Sequence, residues 1–438
     1  MSALARHLNQ LGHEVAGYDL TASPLTEQLQ REGMQVIHQD DPSLLPAWCQ
    51  DATPENLNVV WTPAVPRSLN LVKHFERLGH RLVKRAEILG TITTNHPTLA
   101  VAGTHGKTTT TGMLASMFRQ KAEGCHAFLG GIDGDLGTNY ITNPQAQWHV
   151  VEADEFDRSF HHLRPTHAAI TSLDPDHLDV YESEHAFREA FEQFGRQVIQ
   201  TLIVPHGLDW PGHKRLETFE VIEEGQTSNA THVATRHEES VHVQFHGLPG
   251  FHVVPQLPGK HNLANALVAG ALAHHAGLTD DEIARGIQSF GGVQRRFDVH
   301  LDTPSTVYID DYAHHPTELK ALLEAVRSKW SGRHVTLIFQ PHLYSRTRDF
   351  GQEFAEVLAT ADQLFLLPIY PARELPIPGV DAQWLFENIS SNHKKLASSE
   401  TIFDSLKACP VDVVVTAGAG DIDRLVPKVL QHLQSLEK

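Results

Sequence analysis

The run Gly103-Thr104-His105-Gly106-Lys107-Thr108-Thr109 packs two glycines, a lysine and three hydroxyls into seven residues. Glycine lets a backbone approach a phosphate closely, and the free N–H groups of a helix N-terminus favour an anion. Lys107 would then reach the outer phosphates, and the Thr108 hydroxyl stands where magnesium wants a ligand. The usual phosphate-loop spacing needs a glycine at 101; the chain has Val101, so the loop is a shorter one. A turn followed by an exposed lysine is the plain alternative.

Further clusters carry complementary chemistry. His149-Val-Val-Glu152 is an apolar run that ends in acids, with Asp154 and Glu155 next, and carboxylates at a strand end beside a phosphate loop can hold magnesium. Asp174, Asp176, His177 and Asp179 follow another apolar run and suit a second metal position or a structural turn. Asn262 and Asn265 lie one helical turn apart and suit amide hydrogen bonding to a purine edge, although capping alone explains Asn262. Arg295 and Arg296 fall at a boundary from which an arginine can reach phosphates across a closing cleft. Asp310, Asp311, His314 and His315 crowd one strand end, while His342, Arg346 and Arg348 follow the next. An acidic and a basic strand end side by side make a cleft.

Strand-like and helical runs alternate along all 438 residues, which predicts an α/β fold with largely parallel sheets in three blocks, 1–91, 92–293 and 294–438. The first holds a helix over 2–11 and strands over 14–18, 35–38, 58–61 and 81–84. The second holds a strand entering the phosphate loop, strands over 127–129, 149–152 and 168–171, and a helix over 184–197. It continues with a small antiparallel sheet within 217–256 and helices over 262–276 and 280–290. The third repeats the rhythm with strands over 307–310, 334–339, 363–367 and 411–416 and a closing helix from 422.

A formal charge of −18 argues against non-specific nucleic-acid binding, and no apolar run approaches membrane-spanning length. Three scattered cysteines read as reduced, mostly buried thiols, consistent with the cytoplasm. The 31 histidines read as surface residues without a shared role.

These motifs jointly resemble the Mur ligase family, which joins amino acids to the UDP-sugar precursor of peptidoglycan. The resemblance runs over Gly-Thr-His-Gly-Lys-Thr-Thr, Glu-Ala-Asp-Glu, Asp-His-Leu-Asp, His-Asn-Leu-Ala-Asn-Ala, Arg-Arg-Phe-Asp and Asp-Asp-Tyr-Ala-His-His-Pro-Thr-Glu. It implies three domains: an incomplete Rossmann-like UDP-sugar domain, a central P-loop-type ATPase domain, and a Rossmann-like C-terminal domain that binds the amino acid. It further implies ATP and Mg2+, with Lys107 on the β/γ-phosphates, Thr108 and Glu152 on one Mg2+ and His177 on a second. Gly103, Thr104, His105, Gly106 and Thr109 would complete the cradle. Asn262 and Asn265 match the adenine contacts, and Arg296 and Asp311 match nucleotide contacts from the closing side. His314, His342 and Arg346 fall where the third domain meets sugar and amino acid, and Asp19 is expected on the substrate side.

Within the family, Phe339-Gln-Pro-His342, the run from Tyr370 to Gly379 and Ala417-Gly-Ala-Gly-Asp421 point to the step that takes UDP-N-acetylmuramate and L-alanine, in a monomer or weak homodimer. A ligase attaching a tripeptide to the same sugar nucleotide, and a non-catalytic nucleotide binder, are the alternatives. Three departures stand out. Relatives open with a strand and a Gly-x-Gly-Gly-x-Gly loop that would lie upstream of Met1, Leu343 replaces an arginine of several relatives, and Ser172 a frequent asparagine.

Overall fold

The computed structural model describes residues 1–438 apart from 51, 63, 64, 175–180, 182, 373, 408, 437 and 438. The chain opens with the helix Ser2–Gln10, whose Ala3 and Leu4 are buried. Parallel strands β1 (Ala16–Tyr18) and β2 (Gln35–Ile37) follow, joined through the helix Pro24–Arg31. That helix begins at a reciprocal cap: Ser23 Oγ accepts from Thr26 N, and Ser23 N donates to Thr26 Oγ1 at 2.9 Å. Strands β3 (Val59–Trp61) and β4 (Leu82–Lys84) form a second parallel pair through the helix Asn70–Arg77. The first block therefore contains two separate two-stranded sheets.

The middle of the chain builds one ten-stranded sheet from β5 (Thr98–Ala102), β6 (His126–Phe128), β7 (Tyr140–Ile141), β8 (His149–Glu152), β9 (His167–Ile170), β10 (Thr201–Pro205), β11 (Leu216–Glu223), β12 (His232–Arg236), β13 (Val241–Phe245) and β14 (Phe251–Val253). Their order is β14-β13-β12-β11-β10-β9-β5-β8-β6-β7. Strands β5, β6 and β8 to β12 run parallel; at the margins β7 pairs antiparallel with β6, β13 with β12 and β14 with β13. The antiparallel strands expected within 217–256 are present, but they extend the main sheet instead of standing apart. The reason lies in β11, which pairs parallel with β10 on one side and β12 on the other. Helices Lys107–Phe118, Lys260–His275 and Asp280–Ser289 cover one face, and Glu184–Gln197 packs on the other. Covered on both faces, β5 is buried along its whole length, as a central parallel strand should be.

A six-stranded sheet closes the chain: β15 (Asp298–Asp302), β16 (Val307–Asp311), β17 (Val335–Phe339), β18 (Gln363–Leu366), β19 (Lys394–Leu396) and β20 (Val413–Ala417), ordered β15-β16-β20-β17-β18-β19. Only β15 is antiparallel to its neighbour. Among the described residues no helix is long and apolar enough to cross a membrane. Cys49 and Cys125 are buried and all three thiols are free.

The histidines correct the expectation of a scattered surface surplus. His126, His149, His167 and His232 are the first residues of β6, β8, β9 and β12, so they line the N-terminal edge of the parallel strands. His149, His167 and His232 are buried, and rings pair along this edge: His126 with His149 at 4.9 Å and His167 with His275 at 4.9 Å. Burial pushes His149 down to about 3 and His7 and His167 to about 4, so these imidazoles sit neutral in the packing.

Candidate active site

The opposite, C-terminal edge of the same strands carries the chemistry. Strand β5 ends at Ala102 and the chain turns through Gly103 and Gly106 before the helix that starts at Lys107. Both glycines have positive φ, +126° and +82°. A Cβ at 103 would fall 2.2 Å from Thr171 Oγ1, and one at 106 would fall 2.4 Å from Asn265 Oδ1. The turn is thus tight by necessity, and it presents the helix N-terminus to the cleft. Thr104 N donates to Ser172 O at 3.2 Å, His105 N to Ser172 Oγ at 3.0 Å and Thr104 Oγ1 to Asp174 O at 2.7 Å. Ser172 therefore serves the loop as an acceptor through both its carbonyl and its hydroxyl. Thr109 is buried on the first helical turn.

Lys107 Nζ donates to Gly103 O at 2.6 Å and to Glu155 Oε1 at 2.8 Å. Burial opposes its charge, but Glu155, Asp154 and Glu152 together hold its pKa above the ordinary lysine value. Burial in turn raises Glu155 to about 7, against the pull of Lys107. Thr108 Oγ1 donates to Glu152 Oε2 at 2.9 Å, and burial raises the Glu152 carboxyl as well. A Cβ on Gly130 would fall 2.1 Å from Glu152 Oε2, so the carboxylate sits in a cradle that only glycine leaves open. A hydroxyl and carboxylates, with no sulfur or imidazole among them, fit a hard cation of the Mg2+ type.

The third block reaches directly into this loop. His105 Nδ1 lies 3.2 Å from Glu318 Oε1, and Arg296 lies 3.7 Å from the same oxygen. Glu318 Oε2 accepts from His314 N at 3.0 Å and His315 N at 3.2 Å, which caps the helix Pro316–Lys329. Although burial raises it, the surrounding His314, His105 and Arg296 hold Glu318 well below the usual carboxylate range. From there the cluster continues: the His314 and His342 rings are 5.8 Å apart, and His342 Nδ1 contacts the buried Arg346 at 3.3 Å. Asp311 accepts from Phe297 N at 2.6 Å and Ala313 N at 2.7 Å, and burial pushes it up to about 6. Its carboxylate thus fixes the junction around Arg296, whose guanidinium lies over the Tyr312 ring at 4.9 Å. Arg295 instead pairs with Asp310 at 3.2 Å and donates to Gly418 O at 2.6 Å.

Asn262 and Asn265 are buried at the start of their helix, with Asn262 Nδ2 donating to Pro258 O at 2.7 Å. Asn265 abuts Gly106, so the purine-type pair borders the phosphate loop. Asp19 is not drawn into this group: it is exposed at the end of β1 and accepts from Thr21 N at 2.9 Å. His177, with Asp176 and Asp179, lies outside the described residues, as does Arg373 in the run from Tyr370 to Gly379. Glu155, expected with its neighbouring acids to hold magnesium, instead pairs with Lys107, and Glu318, quoted in the sequence without a role, pairs with His105. The signal for Glu318 was its position three residues after His315, where a helix-capping carboxylate belongs.

A phosphate loop at the C-terminal edge of a parallel sheet, paired acids and a six-stranded sheet whose Glu318 touches the loop define a nucleotide-dependent α/β enzyme. Residues 1–96 match the Mur ligase family catalytic domain, 101–273 the Mur ligase middle domain and 295–420 the Mur ligase glutamate ligase domain. The chain belongs to the Mur ligase family of ATP-dependent amide-bond-forming ligases. It is 44% identical to a UDP-N-acetylmuramate–L-alanine ligase of Porphyromonas gingivalis, over 100% of this chain and 97% of that one. Its fold is similar to that of a UDP-N-acetylmuramate–alanine ligase of Thermotoga maritima, with a TM-score of 0.82 and 24% identity over 99% of this chain and 96% of that one. A murein peptide ligase of Psychrobacter arcticus gives a TM-score of 0.71 and 23% identity, covering 99% and 96%.

Proposed function

We propose that this enzyme joins L-alanine to the lactyl carboxylate of UDP-N-acetylmuramate during peptidoglycan precursor synthesis. In this reading residues 1–91 bind the UDP-sugar, 92–293 bind ATP and 294–438 bind the amino acid and close the cleft. The carboxylate oxygen attacks the γ-phosphorus of ATP, ADP leaves, and an acyl phosphate results. The amine nitrogen of L-alanine then attacks the acyl carbon, phosphate leaves, and the amine proton passes to His314 or His342.

Each residue has a physical task in this scheme. Lys107 and the loop N–H groups hold the β/γ-phosphates in line, and Asn262 and Asn265 take the adenine. Arg296 approaches from the closing side, and Arg346 with His342 receives the amino-acid end. Thr108 and Glu152 would hold Mg2+, with His177 on a second ion; a bound Mg2+ neutralises charge on the transferring phosphoryl group. Closure of the third sheet keeps water from the acyl phosphate.

The observation that carries the reading is the contact between His105 on the phosphate loop and Glu318 on the third block, which brings nucleotide-side and amino-acid-side residues into one cleft. Full-length identity to the L-alanine ligase of P. gingivalis supports the choice of substrates. The decisive assay is phosphate release with ATP and Mg2+. Release that requires both UDP-N-acetylmuramate and L-alanine is expected. Release with a tripeptide in place of alanine would move the assignment to the peptide-recycling step, and no turnover would leave a nucleotide binder. The acidic charge supports the absence of a nucleic-acid partner, and we place the enzyme in the cytoplasm as a monomer or weak homodimer, to be checked by sedimentation.

A further inference from the structure

At the end of the middle sheet remote from the phosphate loop, four side chains from four separate segments converge: Glu217 on β11, His232 at the start of β12, His246 after β13 and His275 at the end of the helix Lys260–His275. Their ligand atoms all lie within 4.8 Å of one another. His275 Nε2 is 2.7 Å, His232 Nε2 2.9 Å and His246 Nε2 3.5 Å from the same atom, Glu217 Oε2. The other oxygen, Glu217 Oε1, accepts from Arg215 at 3.0 Å, which fixes the carboxylate plane. His275 lies thirteen residues along its helix from Asn262, about 20 Å at 1.5 Å per residue, so the cluster is distinct from the nucleotide cleft.

Hydrogen bonding alone accounts poorly for this convergence. One carboxylate oxygen has two lone pairs; His232 and His275 fill them by hydrogen bonding, and His246 Nε2, 3.5 Å away, is left without an acceptor site on that atom. His232 is 0% exposed, so water cannot reach that side of the cluster to complete its hydrogen bonding. A divalent cation satisfies the carboxylate and three neutral imidazoles at once. Donors around a tetrahedral Zn2+ are spaced by about 3.3 Å, given bond lengths near 2.0–2.1 Å. The observed separations from Glu217 bracket that value.

The backbone supports the same conclusion. His246 has φ +52° and is followed by Gly247 at +69°, in a turn closed by Leu248 N donating to Phe245 O at 2.9 Å. A left-handed conformation is uncommon outside glycine and often marks a functional site. Here it directs the ring at Glu217. At 31% side-chain exposure, His246 is also the route by which an ion could enter.

We propose that Glu217, His232, His246 and His275 form a closed four-ligand site for one divalent transition-metal ion, best matched by Zn2+. Three imidazoles and a carboxylate suit such an ion better than Mg2+, and four protein ligands leave no position for substrate, so the site is structural. It clips the β13–β14 turn and the end of the helix Lys260–His275 onto β11 and β12.

The test uses the full-length protein, stripped with chelator and dialysed with excess Mg2+ so that oxygen-only sites are occupied. On adding Zn2+ back, one ion per chain should bind, with a rise in Tm of about 3 °C at a hundredfold excess over Kd when all 438 residues melt together. Co2+ in its place should give the intense visible absorption of a tetrahedral complex. His246→Asn, which tolerates the left-handed turn, and Glu217→Gln should each weaken Zn2+ at least ~10-fold and abolish the Co2+ spectrum. His246→Asn should keep the zinc-free Tm and the Mg2+-dependent ligase activity. Zero stoichiometry, or equal Zn2+ affinity in the wild type and both variants, overturns the proposal, the latter by locating the ion at other histidines.

Discussion

Lys107 Nζ donates to Glu155 Oε1 at 2.8 Å, and both partners are withdrawn from water, at 13% and 1% side-chain exposure. The loop lysine is therefore positioned by an acid from the end of a neighbouring strand, and in the proposed reaction a triphosphate would compete with that acid for the ammonium. Lys107→Ala should lower turnover by about 10³-fold or more, since a charge aimed at the transferring phosphoryl group is lost. The fold should survive, because Glu155, already raised to about 7, takes up a proton instead of remaining as a buried unpaired charge. Phosphate release measures the first effect and a thermal melt the second; retained turnover would reject the assignment of the loop.

Glu155 also sets a pH dependence of stability. Its folded-state pKa is raised from 4.5 to about 7, so the fold favours the protonated form. That contribution is complete below about 4.5 and is lost as pH climbs through 7. Glu155→Gln should flatten the fall in stability over this window relative to the wild type. Urea melts at several pH values would check it, and identical slopes for the two proteins would refute it.

Glu152→Gln tests the cation. The amide keeps the shape beside Gly130 but removes the charge that a hard cation requires. The Mg2+ concentration for half-maximal activity should rise about 10- to 100-fold. Thr108→Ala should shift it in the same direction. An unchanged Mg2+ requirement in both variants would place the ion elsewhere.

Glu318→Gln probes the closing contact. His105 and Arg296 would lose their shared carboxylate, so KM for ATP should rise and kcat fall, each by roughly 10-fold for a charged hydrogen bond worth about 1.5–3 kcal/mol. The helix cap persists through the amide oxygen, but the charge facing His105, His314 and Arg296 is lost, so Tm should fall at neutral pH and converge on the wild type in acid. Because Glu318 is held below the ordinary carboxylate value, its share of stability is present above about 4.5 and lost as pH falls through its folded pKa. Steady-state kinetics with acid melts separates the two effects.

Much of this fold was legible because the parallel strands are continuous apolar runs. The strand His149–Glu152 and the helix Glu184–Gln197 have the bounds expected from the sequence. Strands β15 and β19 were not legible. The first, Asp-Val-His-Leu-Asp, follows directly on the Arg-Arg-Phe-Asp run, and the second, Lys-Lys-Leu, is short and polar at the sheet margin. Partnership failed in the same way. The loop lysine could be recognised from its neighbours in sequence, but Glu318 meets His105 across 213 positions, and no local pattern encodes such a distance. The Glu217–His275 cluster was hidden for the same reason.

The opening helix is bound to the margin of the middle sheet. Arg6 donates to Asn139 Oδ1 at 2.8 Å, Asn139 Nδ2 to Ser2 Oγ at 2.8 Å, and His7 meets Tyr140 Oη at 2.7 Å. Lys84 adds a further tie to Asp157 at 2.7 Å. The six-stranded sheet, by contrast, is linked through the strained backbone of Arg295 and Phe297, at φ +63° and +51°. Any rotation about that link would carry the whole sheet as one jaw away from the phosphate loop and break the His105–Glu318 contact, so a single gape would serve all the reactants of the proposed reaction.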